Sequence, residues 1–210
     1  MNIESFYGTL LLEFNKYALI KRHLSKMADR MLEGIIAQEN IIYTEINNYH
    51  PKYLGISIEE LKTINFTIDD CRSTIANEYG FQNWKTVSQS NIRYDVVFEK
   101  AVNQLINGDF DALKRTIHAH PHIISKRSNY GHQATLLHYT ASNGVEMWRQ
   151  KAPKNLPMIT DFLINKGANV NAKMKVYGGY YDTLSLLKSS IHPFNAGIAA
   201  EMIIILEKAK

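Results

Sequence analysis

Apolar residues recur at steps of three or four through Phe6, Leu10, Phe14, Tyr17, Ile20, Leu24, Met27, Met31 and Ile35, which winds one stripe along a helix. Gly34 interrupts the stripe, and Ile42 and Ile46 continue it. The pattern therefore predicts two helices, or one long helix bent near Gly34. His50-Pro51 stops them, because proline disfavours helix in the residue before it. The polar face mixes Glu13, Lys16, Lys21, Asp29, Arg30 and Glu33, which suits core packing better than a coiled coil or a membrane surface. A short helix is expected over 58–64. Thr67-Ile68-Asp69-Asp70 then offers an N-cap with acids at the positive end of the dipole, and Tyr79-Gly80 a left-handed stop. The polar run Ser88-Gln89-Ser90-Asn91 separates a helical N-terminal region, 1–90, from a second region, 91–210.

The second region alternates short helices with punctuation. Helical spacing covers 96–106, 111–118, 135–142, 158–165, 183–190 and 196–208. Asn107-Gly108-Asp109, His120-Pro121, Asn143-Gly144 and Gly167 divide them, and Pro157 suits the first turn of its helix. No strand with a two-residue period stands out, so the expected class is all-α.

Thr135-Leu136-Leu137-His138-Tyr139-Thr140-Ala141-Ser142-Asn143-Gly144 resembles the first half of an ankyrin repeat, with Leu136 in place of the usual proline. Ile159, Phe162, Leu163 and Ile164, followed by Gly167-Ala168-Asn169-Val170-Asn171, resemble its second half. Asn107-Gly108-Asp109 and Thr183-Leu184-Ser185-Leu186-Leu187 resemble parts of degenerate neighbouring repeats. The resemblance covers about 96–210, and its Gly-to-Trp phrases, Gly80 to Trp84 and Gly144 to Trp148, are similar to small bacterial ankyrin-repeat proteins. It implies an ankyrin-like α-solenoid with hairpin loops on one side, which the N-terminal segment caps or extends. In that family the histidine at the position of His138 is structural.

Charge changes the picture of the second half. Residues 1–95 carry 10 Lys/Arg against 12 Asp/Glu, whereas 96–210 carry 14 against 8 and hold six of the eight histidines. The basic residues come as separated pairs, such as Lys114-Arg115 and Lys126-Arg127, so solvated surface is favoured over nucleic-acid binding. No run approaches the roughly 18 apolar residues of a membrane span. The start, Met1-Asn2-Ile3-Glu4, lacks the basic and apolar parts of a secretion signal, and the single cysteine, Cys71, excludes an internal disulfide. A cytoplasmic protein is expected.

His118-Ala119-His120-Pro121-His122 brings imidazoles close enough in sequence to suggest zinc or copper. Pro121 forbids a regular helix through them, and no Cys or acid adjoins, so neither metal nor cofactor is expected. Cys71 reads as a small buried hydrophobe. Gly178-Gly179 lacks the pattern of a phosphate loop and reads as a tight turn whose glycines take positive φ. Around it stand Tyr177, Tyr180 and Tyr181, and the inserted segment 146–156 carries Trp148 and Arg149. These are residue types that dominate interfaces.

The expected function is accordingly non-enzymatic binding of another protein. Its surface would comprise Tyr130, His132, Trp148, Arg149, Lys151, Lys154, Tyr177, Tyr180 and Tyr181. The alternatives are a metal-dependent or hydrolytic enzyme using the histidine-rich half, and nucleic-acid binding if basic residues of separate repeats align.

Overall fold

Helix formation at the N-terminus follows the apolar stripe only in part. In the computed structural model, which describes residues 1–210, α1 (Ile3–Tyr7) ends where Gly8 takes a φ of +56°. A 3₁₀ turn covers Gly8–Leu12, and α2 (Ile20–Ile36) starts only after a stretch of turns. The stripe shifts there, since Leu11 rather than Leu10 is the residue buried in the 3₁₀ turn. Phe6, Phe14, Ile20, Leu24, Met27 and Met31 are all buried.

Gly34 is not the bend. It lies inside α2, where a Cβ would fall 2.6 Å from Phe6 Cζ and 2.7 Å from Ile42 Cγ1. The missing side chain lets α1 and α3 (Asn40–Tyr49) close against α2. The chain turns instead at Gln38, with φ +55°. After α4 (Ile58–Leu61), α5 (Ile68–Glu78) opens with a capping box: Thr67 Oγ1 accepts from the Asp70 N–H, and Asp70 Oδ2 accepts from the Thr67 N–H at 2.8 Å. Gly80, at φ +74°, follows its C-terminus, and α5 packs on α2 and α3. α6 (Trp84–Gln89) is capped by Asn83.

The chain divides into two compact units, Met1–Tyr94 and Asp95–Lys210. Residues 91–94 belong to the first because the Ile20 N–H donates to the Ile92 carbonyl at 3.0 Å. His23 also bridges the Tyr94 hydroxyl and the Leu10 carbonyl, each at 2.6 Å.

The second unit starts at α7 (Val96–Ile106), whose N-terminus is capped by the Asp95 carboxylate, and turns at Gly108 into α8 (Phe110–Ala119). Next come α9 (Leu136–Tyr139) and α10 (Leu156–Asn165), with Pro157 in the first turn of α10. α9 is shorter than its apolar run suggests, because Ser142 and Gly144, at φ +50° and +73°, lead the chain out of helical geometry. α11 (Thr183–Lys188), a short α12 (Ile191–Asn195) and α13 (Ala199–Lys208) complete the unit. α7 packs on α8 and α9, α9 on α10 and α11, and both α10 and α11 on α13. Phe98, Leu105, Leu113, Leu137, Leu163, Leu187 and Met202 fill the space between them.

The protein is mostly helical, with 58% of residues in helices and 4% in strands. A purely α class needs one correction. β1 (Lys173–Val176) and β2 (Gly179–Asp182) form an antiparallel hairpin between α10 and α11, pairing Lys175 with Tyr180 and Met174 with Tyr181. No helix is long and apolar enough to cross a membrane.

Candidate functional site

The hairpin turns through Tyr177 and Gly178, at φ +52° and +73°, so both central residues are left-handed as a type I′ turn requires. Gly178 thus takes the positive φ expected of it, but Tyr177 rather than Gly179 is its partner. Gly179 instead makes room for the Tyr181 ring, from which a Cβ there would lie only 2.9 Å away.

Met174 fastens the hairpin by complete burial. The outer edge of β1 is also tied down, the Lys175 N–H donating to the His132 carbonyl at 3.0 Å. Arg127 Nη1 donates to the carbonyls of Gln133 and Lys173, both at 2.8 Å. At the tip the Tyr177 hydroxyl donates to Asn143 Oδ1 at 2.7 Å, and Asn143 Nδ2 donates onward to the Leu186 carbonyl.

On this base Tyr177, Tyr180 and Tyr181 stay 62%, 67% and 38% exposed. The register puts Tyr180 on one face of the hairpin with Lys173 and Lys175, both exposed, and Tyr181 on the Met174 face. The tyrosines therefore offer an aromatic face, where Lys173 and Lys175 stand with Asp182, itself paired with Lys210 at 2.8 Å, and a tip, not a single flat patch.

The rest of the expected surface needs correction. Tyr130, His132, Trp148 and Arg149 are all buried. They come together, but inside the unit. Arg149 Nη2 lies 2.7 Å from Glu99 Oε2, and Nη1 lies 3.3 Å from Glu146 Oε1. The guanidinium sits 4.5 Å from the Trp148 ring centroid, 5.7 Å from that of Tyr139 and 6.0 Å from that of Tyr130. His132 Nδ1 accepts from the Ala134 N–H, and Nε2 faces Glu146 Oε1 at 3.5 Å.

Burial pushes Glu146 up, yet Arg149 and His132 outweigh it and hold the carboxyl below its usual range. At Glu99 burial wins over Arg149, with Glu146 adding repulsion, and the carboxyl is raised. A buried arginine paired with two carboxylates organises the 130–149 loop from within and has no surface left for a partner.

Lys151 and Lys154 serve other segments: Lys151 Nζ donates to Asn107 Oδ1 at 3.3 Å, and Lys154 Nζ to the Ala196 carbonyl at 2.5 Å. His118, His120 and His122 are exposed, and no three His, Cys, Asp or Glu side chains gather as metal ligands. His138 is fully buried, and its Nδ1 accepts from the Thr135 N–H at 3.1 Å and the Thr135 hydroxyl at 2.8 Å. Burial, aided by Arg127, pushes its imidazole down to about 4. Cys71 is buried too, which pushes its thiol up to about 12.

Sequence reasoning missed the acids of both buried clusters. Glu99 and Glu146 are as hidden as Arg149, and Glu146-x-x-Arg149 at the i, i+3 spacing was their one local signal. In the first unit Glu45 and Glu78 are buried together, and Glu45 accepts from the Tyr7 hydroxyl at 3.0 and 3.1 Å. Burial and the neighbouring Glu78 push Glu45 well above the usual carboxylate range. No protein-family model, curated protein or solved structure matches the chain.

Proposed function

We propose that the chain is a non-enzymatic binding module in which an ankyrin-like stack of helical pairs presents the β1–β2 hairpin to another protein. The repeat-like phrases at 135–144 and 167–171 support the stack. So does the order of packing, in which α7, α9 and α11 touch in succession while α8, α10 and α13 follow as their partners. The Phe110 and Phe162 rings meet edge to face at 5.3 Å, which joins α8 to α10. The single buried cysteine is in keeping with a reducing compartment such as the cytoplasm.

The observation that carries the reading is Tyr180, 67% exposed on a strand whose neighbours are fixed by main-chain hydrogen bonds. Tyrosine brings large contact area at low entropic cost, and a pre-formed hairpin adds little ordering cost on binding. Lys173 and Lys175 on the same face favour a partner with an acidic rim around an apolar centre. A photo-crosslinking residue at Tyr180, expressed in the source cell, should capture one discrete protein. The same residue at Leu54, exposed in the first unit, should not. Equal capture from both positions would count against the hairpin.

A further inference from the structure

The histidine-rich turn after α8 borders a groove that the hairpin reading does not use. The groove runs between α7 and α8, holds about 400 Å³, and is lined by Lys100, Arg115 and His120 among others. We propose that it binds a small phosphate ester, with the dianionic phosphoryl group between Lys100 and Arg115.

Charge carries the first part of the argument. Neither Lys100 nor Arg115 has a carboxylate within ion-pair distance; Asp111, whose charge also reaches Arg115 from the same helix, is held by Lys114 at 2.8 Å. Two cations without a close ion pair suit the charge of roughly −2 on a phosphate monoester at neutral pH better than the single charge of a carboxylate. Arginine suits such oxygens because its planar fork donates two parallel hydrogen bonds.

Donors and shape carry the rest. Gln104 also lines the groove, and its Oε1 is buried without a hydrogen-bond partner. That unpartnered oxygen would gain a hydrogen bond from the hydroxyl of a ligand seated against it. Val97 and Ala112 supply an apolar wall, and the volume exceeds what a bare phosphate fills. The groove therefore has room for the organic part of an ester. His120 lines this groove and His118 follows Arg115 on the same helix, which gives the motif a setting other than metal.

Titration of the ¹⁵N-labelled full chain with phenyl phosphate tests the proposal. Saturable amide shifts at Lys100, Gln104, Arg115 and His120 are expected, with benzoate and inorganic phosphate each binding more weakly. Lys100→Gln and Arg115→Gln should each weaken phenyl phosphate by roughly tenfold or more, the range of a lost charge-assisted contact, with the melting temperature unchanged. Four results would overturn the proposal: no saturable shift with phenyl phosphate, equal binding of benzoate, equal binding of inorganic phosphate, or shifts that survive both substitutions. Tighter binding of a short oligonucleotide, lost in the same variants, would replace it with nucleic-acid binding. None of these outcomes depends on the hairpin, whose own test is separate.

Discussion

Replacing His138 probes the best-defined buried polar group of the second unit. Its Nδ1 accepts from the Thr135 N–H and hydroxyl, so His138→Ala strands a buried donor at the start of α9. Stranding costs about 1–3 kcal/mol, and the space left by the ring adds to it. The depressed imidazole sets a second magnitude. The folded imidazole, pushed down to about 4, lies below the ordinary value of 6.5. The folded state therefore favours the neutral ring. Its contribution is complete above pH 6.5 and is lost as pH falls through the folded value, for a total of roughly 3 kcal/mol. His138→Gln retains an acceptor but does not titrate in this range. Urea unfolding should be followed by Trp148 fluorescence in a Trp84→Phe background, which reads the second unit alone. Between pH 6.5 and 4.5 the parent should lose stability more steeply than His138→Gln, by up to one proton's slope, about 1.4 kcal/mol per pH unit. Parallel curves would refute the reasoning.

Three further perturbations separate the two units. Gly34→Ala puts a methyl 2.6 Å from the Phe6 ring, so thermal unfolding read at Trp84 should show a loss of about 1–3 kcal/mol. Arg149→Leu leaves Glu99 and Glu146 buried without their cation, and urea unfolding read at Trp148 should fall by about 3–5 kcal/mol. Glu45 has a folded value raised above 4.5, so its contribution is present below that pH and is lost as pH rises through the folded value. Glu45→Gln should therefore gain stability relative to the parent from pH 5 to 8, with Trp84 as the readout.

What could be read in the sequence was set by local interactions. The capping box at Thr67 and the whole of α7 depend on side chains within a turn of each other, and both stand where the pattern put them. Gly34 reads as a breaker because the groups that require its missing side chain, Phe6 and Ile42, come from other helices. Arg149 reads as a surface cation because one of its counter-charges, Glu99, lies 50 residues upstream in an apolar run. Lys-Met-Lys-Val before Tyr-Gly did carry a two-residue period and an X-Gly turn, and four residues proved enough for a strand once Met174 had a core to enter. Of the candidate surface, exposure at Tyr177, Tyr180 and Tyr181 was legible from a glycine turn. Burial of Tyr130, His132 and Trp148 was not, because it follows from the charge pairing of Arg149.

Dissociation kinetics of the protein captured through Tyr180 test the binding role most directly. Buried aromatic anchors govern how slowly a complex separates, while rim charges govern how fast it forms. With purified components on a biosensor, Tyr180→Ala should raise the off-rate by roughly tenfold or more at an unchanged melting temperature, the effect expected of an anchor residue. Tyr181→Ala, on the Met174 face, should raise it less, and Lys175→Glu should lower the on-rate in a salt-dependent way. An off-rate that Tyr180→Ala leaves unchanged would contradict the hairpin as the surface on which this protein holds its partner.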